Sequence, residues 1–91
     1  MMRKIEFSKR YLKSLKKLDK NEQAEVNALI KRLANDENLE LKYKDHQLLG
    51  EFKNFRECHI KSDLLLIYQK RNDILTLYCF NVGSHSNLFK K

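Results

Sequence analysis

The sequence predicts an α+β domain in which a helical hairpin packs on one face of a small, mainly antiparallel sheet. Two amphipathic helical patterns lie within the first 35 residues, and strand-like runs dominate from Phe52 onward. This succession, in the order β-α-α-β-β-β, predicts a two-layer structure whose second sheet face is partly open. A chain of 91 residues can bury one core, so residues 1–91 are expected to form a single domain.

The N-terminal third predicts a strand followed by two helices. Residues 3–7 are strand-like, and Ser8 offers a hydroxyl that can cap a helix running to about Leu18. Apolar residues three and four apart place one face of this helix on the core and the lysines outside. The same spacing predicts a second helix from about Asn21 to Asn35.

The rest of the chain predicts a loop and an antiparallel meander. The apolar period is lost between Asp36 and Gln47, which indicates a surface loop. Strands are predicted at 54–61, 64–70 and 74–82, with a turn at 71–73. Gly83 ends the last strand, and residues 84–89 are expected to form a turn or a fragment of helix.

Positive charge is concentrated at the N-terminus. The formal charge is +7, and residues 1–20 contribute eight basic and two acidic side chains to it. This one-sided distribution favours nucleic acid as a partner, although a lysine-rich helix face can also be simply solvated. The candidate contacts on the first helix are Lys9, Arg10, Lys13, Lys16 and Lys17.

No export signal or membrane span is visible. The charged start is followed by no apolar run, and no stretch approaches the roughly 18 apolar residues that a span requires. Cys58 and Cys79 are too few to staple a small secreted domain. We therefore expect a cytoplasmic protein with reduced thiols and no membrane partner.

Three histidines, His46, His59 and His85, lie where they could converge on the open sheet face. Imidazole gives and takes protons near neutral pH, and each such role contributes about 10²–10⁴ in rate. Cleavage of RNA by its own 2′-hydroxyl needs one base and one acid, and it needs no metal. The plain alternative is that these histidines are ordinary surface or hydrogen-bonded groups.

Other side chains could assist the same reaction. Lys44, Lys53 and Arg56 could neutralise charge on a phosphate, and the fork of Arg56 matches phosphate oxygens best. Asp63 could orient an imidazole or accept a proton, and Phe89 could stack on an unpaired base. Alternatively, Arg56 pairs with Glu57 or Glu51, and Phe89 packs the tail against the core.

A zinc site is not expected, although Cys58, His59, Cys79 and His85 are ligand types. Adjacent strand residues point to opposite faces, so Cys58 and His59 cannot easily bind one ion, and no Cys-x-x-Cys spacing exists. We therefore predict no metal and no cofactor.

Successive motifs resemble those of YafQ-type toxins in the RelE superfamily. The motifs are 43–50 (YKDHQLLG), 55–60 (FRECHI) with Asp63, 66–68 (LIY) and 83–89 (GSHSNLF), and the likeness runs from about Ile5 to Phe89. It implies a RelE-like, microbial-ribonuclease-like fold and an endoribonuclease that cleaves messenger RNA in the ribosomal A site. A cognate acidic antitoxin would hold the toxin inactive, and operator DNA would be bound only through their complex.

The resemblance also implies roles. It maps catalytic histidines onto His46, His59 and His85, the acidic residue onto Asp63 and the terminal aromatic onto Phe89. His85 would be the general acid and His46 or His59 the base, with Asp63 as an orienter or alternative base and Arg56 as a phosphate clamp. Asn81 departs from the family, because related toxins often carry an arginine there.

Two other readings remain open. ParE-like members of the superfamily bind DNA gyrase and cut nothing, although they generally lack this histidine set. A plain RNA-binding module would use the basic helix and leave the histidines without a catalytic role.

Overall fold

A computed structural model describes residues 2–89, so Met1, Lys90 and Lys91 of the predicted 1–91 domain lie outside the described residues. The strands and α-helices in chain order are β1 (Lys4–Phe7), α1 (Lys9–Leu15), α2 (Lys20–Ala34), β2 (His46–Gln47), β3 (Arg56–Lys61), β4 (Leu64–Arg71), β5 (Thr76–Gly83) and α3 (His85–Leu88). Short 3₁₀ helices at Leu41–Tyr43 and Gly50–Phe52 flank β2. The predicted α+β class is confirmed. The two-residue strand β2 was missed because it lies in a polar stretch without alternation.

Both predicted helices form, and side-chain caps start them. The Ser8 hydroxyl accepts a hydrogen bond from the backbone N–H of Tyr11. Asp19 and Glu22 form a reciprocal capping box at the start of α2. Helix α1 ends at Leu15, three residues earlier than predicted, because a tight turn at Lys17 and Leu18 leads into the Asp19 cap.

The sheet has the order β1-β5-β4-β3-β2, with β1 parallel to β5 and the other neighbours antiparallel. Strand β1 pairs only with the first half of β5, from Thr76 to Cys79. Helix α1 lies beside the second half, where the Ser8 hydroxyl donates to the Phe80 carbonyl and Ser14 donates to the Asn81 side chain. The basic helix therefore lies along the half of β5 that β1 leaves unpaired.

The strand register separates two faces. Cys58, Leu66 and Tyr68 share the face that packs on α2 and forms the main core. Glu57 and His59 pair with Ile67 and Leu65 on the opposite face. Leu65 and Ile67 are buried although they lie outside the main core cluster.

The second face is partly covered by aromatic rings. Phe52 and Phe55, from the segment before β3, contact each other, and Phe52 also contacts Phe89 beyond α3. We infer that these rings cover Leu65 and Ile67, since large apolar side chains are buried where rings exclude water. The part of the second sheet face that these rings leave uncovered is thus limited to the surroundings of the histidines and to strand β5.

Both cysteines are free and buried. Burial raises the pKa of the Cys79 thiol to about 12 and raises that of Cys58 well above its ordinary value. Neither thiol is therefore reactive at neutral pH. Within residues 2–89, every helix is too short or too polar to cross a membrane.

Candidate active site

A buried carboxylate, Glu57, lies between two of the predicted histidines. His46 on β2 pairs directly with Glu57 on β3, and His59 follows two residues later on the same face. Oε1 of Glu57 lies 3.6 Å from Nε2 of His46 and 3.6 Å from Nε2 of His59. Because the Glu57 side chain is only 5% exposed, it is well placed to orient both imidazoles.

His85 reaches the same cluster from the opposite end of the chain. Its ring lies 5.7 Å from the His59 ring, between centroids. Asp63, in the turn between β3 and β4, accepts a hydrogen bond of 3.1 Å from the His85 backbone N–H. The same Asp63 oxygen lies 3.8 Å from Nδ1 of His85, so Asp63 holds the start of α3 beside β3.

The structure therefore brings His46, His59, His85 and Asp63 together around a residue that the sequence analysis missed. Glu57 was considered only as a partner of Arg56. The signal that could have found it is the period of two along a strand, which puts Glu57 and His59 on the same face. That period was applied to Cys58 and His59 alone.

Arg56 does not join the histidines, which corrects its prediction as a phosphate clamp at their site. Its register partner is Tyr68, on the helix-facing side of the sheet. There its Nε donates to Oδ1 of Asp45 at 3.3 Å, and the Tyr68 hydroxyl donates to the same oxygen at 2.5 Å. One residue along a strand reverses the direction of a side chain, so Arg56 and Glu57 point apart.

Asp45 immediately precedes His46, so this pair of hydrogen bonds anchors the strand that carries the histidine. Burial raises the pKa of the Tyr68 hydroxyl, and the Asp45 carboxylate raises it further. Tyr68 is fully buried and remains a hydrogen-bond donor at any physiological pH. Arg56 and Tyr68 therefore position His46 indirectly.

We expect Tyr68→Phe to lower the free energy of unfolding by about 1–2 kcal/mol, because one buried hydrogen bond is lost. RNA cleavage, the activity expected from the sequence, should fall as well, because Asp45 at the start of β2 then keeps only its hydrogen bond to Arg56. Urea unfolding and initial cleavage rates measure the two effects. Tyr43→Phe is the matched control, since it removes the same atom from a half-buried tyrosine in the neighbouring turn. Wild-type stability and rate in Tyr68→Phe would contradict the anchoring role.

Of the predicted RNA contacts, Lys44 and Phe89 lie beside the cluster. A groove of about 520 Å³ next to His59 is lined by Lys42, Lys44 and Lys61. The Phe89 ring lies 6.0 Å from the His85 ring and is 38% exposed. Lys53 instead lines a separate hollow with Arg56 and Lys70. The basic side chains of α1 and of the turn that follows it are exposed, and they are Lys9, Arg10, Lys13, Lys16 and Lys17.

Asn81 is buried and already hydrogen-bonded. Its side-chain oxygen accepts from the Ser14 hydroxyl at 2.7 Å and from the backbone N–H of Val82 at 2.9 Å. A neutral amide used in this way cannot stabilise a phosphate as an arginine would. Positive charge near the histidines comes instead from the lysines of the groove.

One group of possible metal ligands exists among the described residues, and it differs from the set considered above. Glu57, His59 and His85 offer ligand atoms that all lie within 4.8 Å of one another. Imidazole nitrogen and carboxylate oxygen suit zinc or copper. Cys58 and Cys79 lie in the helix-facing core and do not contribute.

Comparison with known proteins gives consistent matches over nearly the whole chain. The family described as "Bacterial toxin of type II toxin-antitoxin system, YafQ" matches residues 3–90. The mRNA interferase toxin YafQ of Escherichia coli K12 is 33% identical over 92 aligned positions, which cover 98% of each chain.

Two solved structures are similar at the level of the fold. A metal-bound toxin from Helicobacter pylori matches with a TM-score of 0.85 and 43% identity, covering 97% of this chain and 100% of that one. The E. coli DinJ-YafQ toxin-antitoxin complex matches with a TM-score of 0.83 and 33% identity, covering 98% and 99%.

Proposed function

This chain belongs to the YafQ family of toxins from bacterial type II toxin-antitoxin systems, and on that premise we propose how it cleaves messenger RNA. It is an endoribonuclease toxin with a cognate antitoxin as its partner. The observation that carries the mechanism is the convergence of three histidines on one buried carboxylate. The expected setting is the ribosomal A site, in the cytoplasm.

The reaction uses two imidazoles in opposite roles. His46 or His59 takes the proton of the 2′-hydroxyl, whose oxygen attacks the adjacent phosphorus. The bond to the 5′-oxygen breaks, and His85 protonates that leaving oxygen. The products are a 2′,3′-cyclic phosphate and a free 5′-hydroxyl. Each proton transfer contributes about 10²–10⁴ to the rate.

The remaining groups position the reactants and balance charge. Glu57 holds the rings of His46 and His59 in place and stabilises whichever becomes the imidazolium. Asp63 positions His85 by accepting a hydrogen bond from the backbone N–H of His85. Lys44 and its neighbours in the groove offset the negative charge that builds on the phosphate.

The antitoxin is expected to be acidic and to occlude the histidine cluster, the basic surface of α1, or both. Opposite charge favours such an encounter with a chain of formal charge +7. Operator DNA would be bound only through the toxin-antitoxin complex.

The test is a translating extract with end-labelled messenger RNA, run beside naked RNA in EDTA. Codon-spaced cuts that occur only on ribosomes would support the proposal, and cuts in naked RNA would remove the ribosome requirement. If translation continues and no RNA is cut, the catalytic proposal fails. Gyrase inhibition would then favour the ParE-like reading, and salt-sensitive RNA binding without products would favour a binding module.

Metal ions should inhibit the enzyme and should not be required by it. Zinc or copper on Glu57, His59 and His85 would offset phosphate charge, but it would also occupy the imidazole lone pairs that proton transfer needs. We expect the cleavage rate in EDTA to match that in buffer. Stoichiometric Zn²⁺ should lower the rate at least about 10-fold, which is less than the rate enhancement that one proton transfer contributes. EDTA-treated protein that cuts only after metal is added would overturn the metal-independent mechanism.

A further inference from the structure

A continuous path of aromatic rings leads from the histidine cluster across one face of the sheet to strand β5. We call Phe89, Phe52, Phe55, Phe80 and Tyr78 the aromatic track. The successive ring centroids, starting from His85, lie 6.0, 6.5, 6.4, 5.0 and 6.3 Å apart. These residues come from the segment before β3, from β5 and from the end of α3, so only the tertiary fold joins them.

The track lies on the face that carries His59. Tyr78 pairs with Gln69 on β4, and Gln69 shares its face with Ile67 and Leu65, the latter paired with His59. All rings of the track except Phe89 are half-buried, and Phe89 is exposed. The rings thus rest on the sheet and present part of their surface to solvent.

Two arginines cover the end of the track that is distant from the histidines. The guanidinium of Arg10 lies 5.4 Å above the centre of the Phe80 ring, and that of Arg71 lies 5.2 Å above Tyr78. Both arginines are exposed. A flat guanidinium supported by a ring can stack on a nucleobase and also attract a phosphate.

We propose that the aromatic track binds the nucleotides of single-stranded RNA that adjoin the cut, and this rests on the proposed function. Partly exposed rings together with cations suit unpaired RNA, because every base has a π face and every linkage a negative charge. A carboxylate marks the end of the path, since Glu6 on the edge strand β1 pairs with Tyr78 and would repel a further phosphate.

Binding of uncleavable RNA tests the track without depending on catalysis. Short oligonucleotides with a 2′-O-methyl group at every position are extended by one to four nucleotides at the 5′ or the 3′ end, and their affinity for the toxin is measured by fluorescence anisotropy. We expect extension at one end to tighten binding about 10-fold, within the range for stacking of a base on an aromatic ring. Phe80→Leu and Arg71→Gln should each remove most of that gain.

Matched variants separate the track from general charge and from folding. Lys31→Gln removes one exposed charge from α2 and should leave the gain from extension intact. Arg71→Gln alters an exposed side chain, so it tests the track even if Phe80→Leu folds poorly.

The possible results have distinct meanings. Equal affinity for short and extended RNA, or a gain that survives both variants, overturns the proposal. Weaker antitoxin binding with unchanged RNA binding would make this a protein-docking surface and would also overturn it. Extended RNA that is bound through the track but whose unmodified form is never cut would leave the track standing and remove the nuclease proposal.

Discussion

His85→Ala should abolish cleavage of messenger RNA, with a loss of at least about 10²–10⁴ in rate, because the 5′-oxygen then departs without its proton donor. His85 is the most exposed of the three histidines, with 57% of its side chain accessible. Its backbone N–H, and not its ring, makes the bond that fastens α3 to Asp63. The alanine variant should therefore keep the fold.

The comparison is made by initial cleavage rates together with thermal unfolding. Asn87→Ala is the matched control, because it truncates another exposed side chain on the same short helix. Wild-type cutting by a folded His85→Ala protein would exclude His85 as the general acid. A variant that loses both activity and its unfolding transition would instead show that α3 supports the sheet.

Glu57→Gln should lower the rate of cleavage about 10²-fold, which is at the low end of what one proton transfer contributes. The substitution keeps the size of a side chain that is 5% exposed, so packing is preserved. What it removes is the negative charge within 3.6 Å of both His46 and His59. Neither imidazole would then be stabilised by a negative charge when it takes up the proton.

A double-mutant cycle identifies the route of this effect. If Glu57 acts through His59, the total loss in the double variant Glu57→Gln/His59→Ala should be smaller than the sum of the two single losses. Glu51→Gln removes an exposed carboxylate from the preceding turn and should leave the rate unchanged. Full additivity of the two losses would exclude His59 as the group that Glu57 serves and would direct attention to His46.

Local chemistry made the helices and the three long strands predictable. Ser8 at a helix start and apolar residues at spacings of three and four act within a few residues of one another. The histidines were also predictable as a set, because the motifs that carry them resemble one family in the same order. Strand β2 was not, since two residues form a strand only when a partner edge is available.

The side on which each functional group lies was decided by pairing across the sheet. The sequence by itself determined the fold class and the basic first helix, and it singled out the three histidines of the candidate site. It left Arg56 and Glu57, adjacent in the chain, without assigned faces. The register of β3 and β4 assigned the faces, because Arg56 pairs with Tyr68 and Glu57 pairs with Ile67. As a result the arginine contacts Asp45 and the carboxylate lies beside the histidines. The reason is that contacts between distant strands depend on register, and a shift of one residue exchanges the two faces.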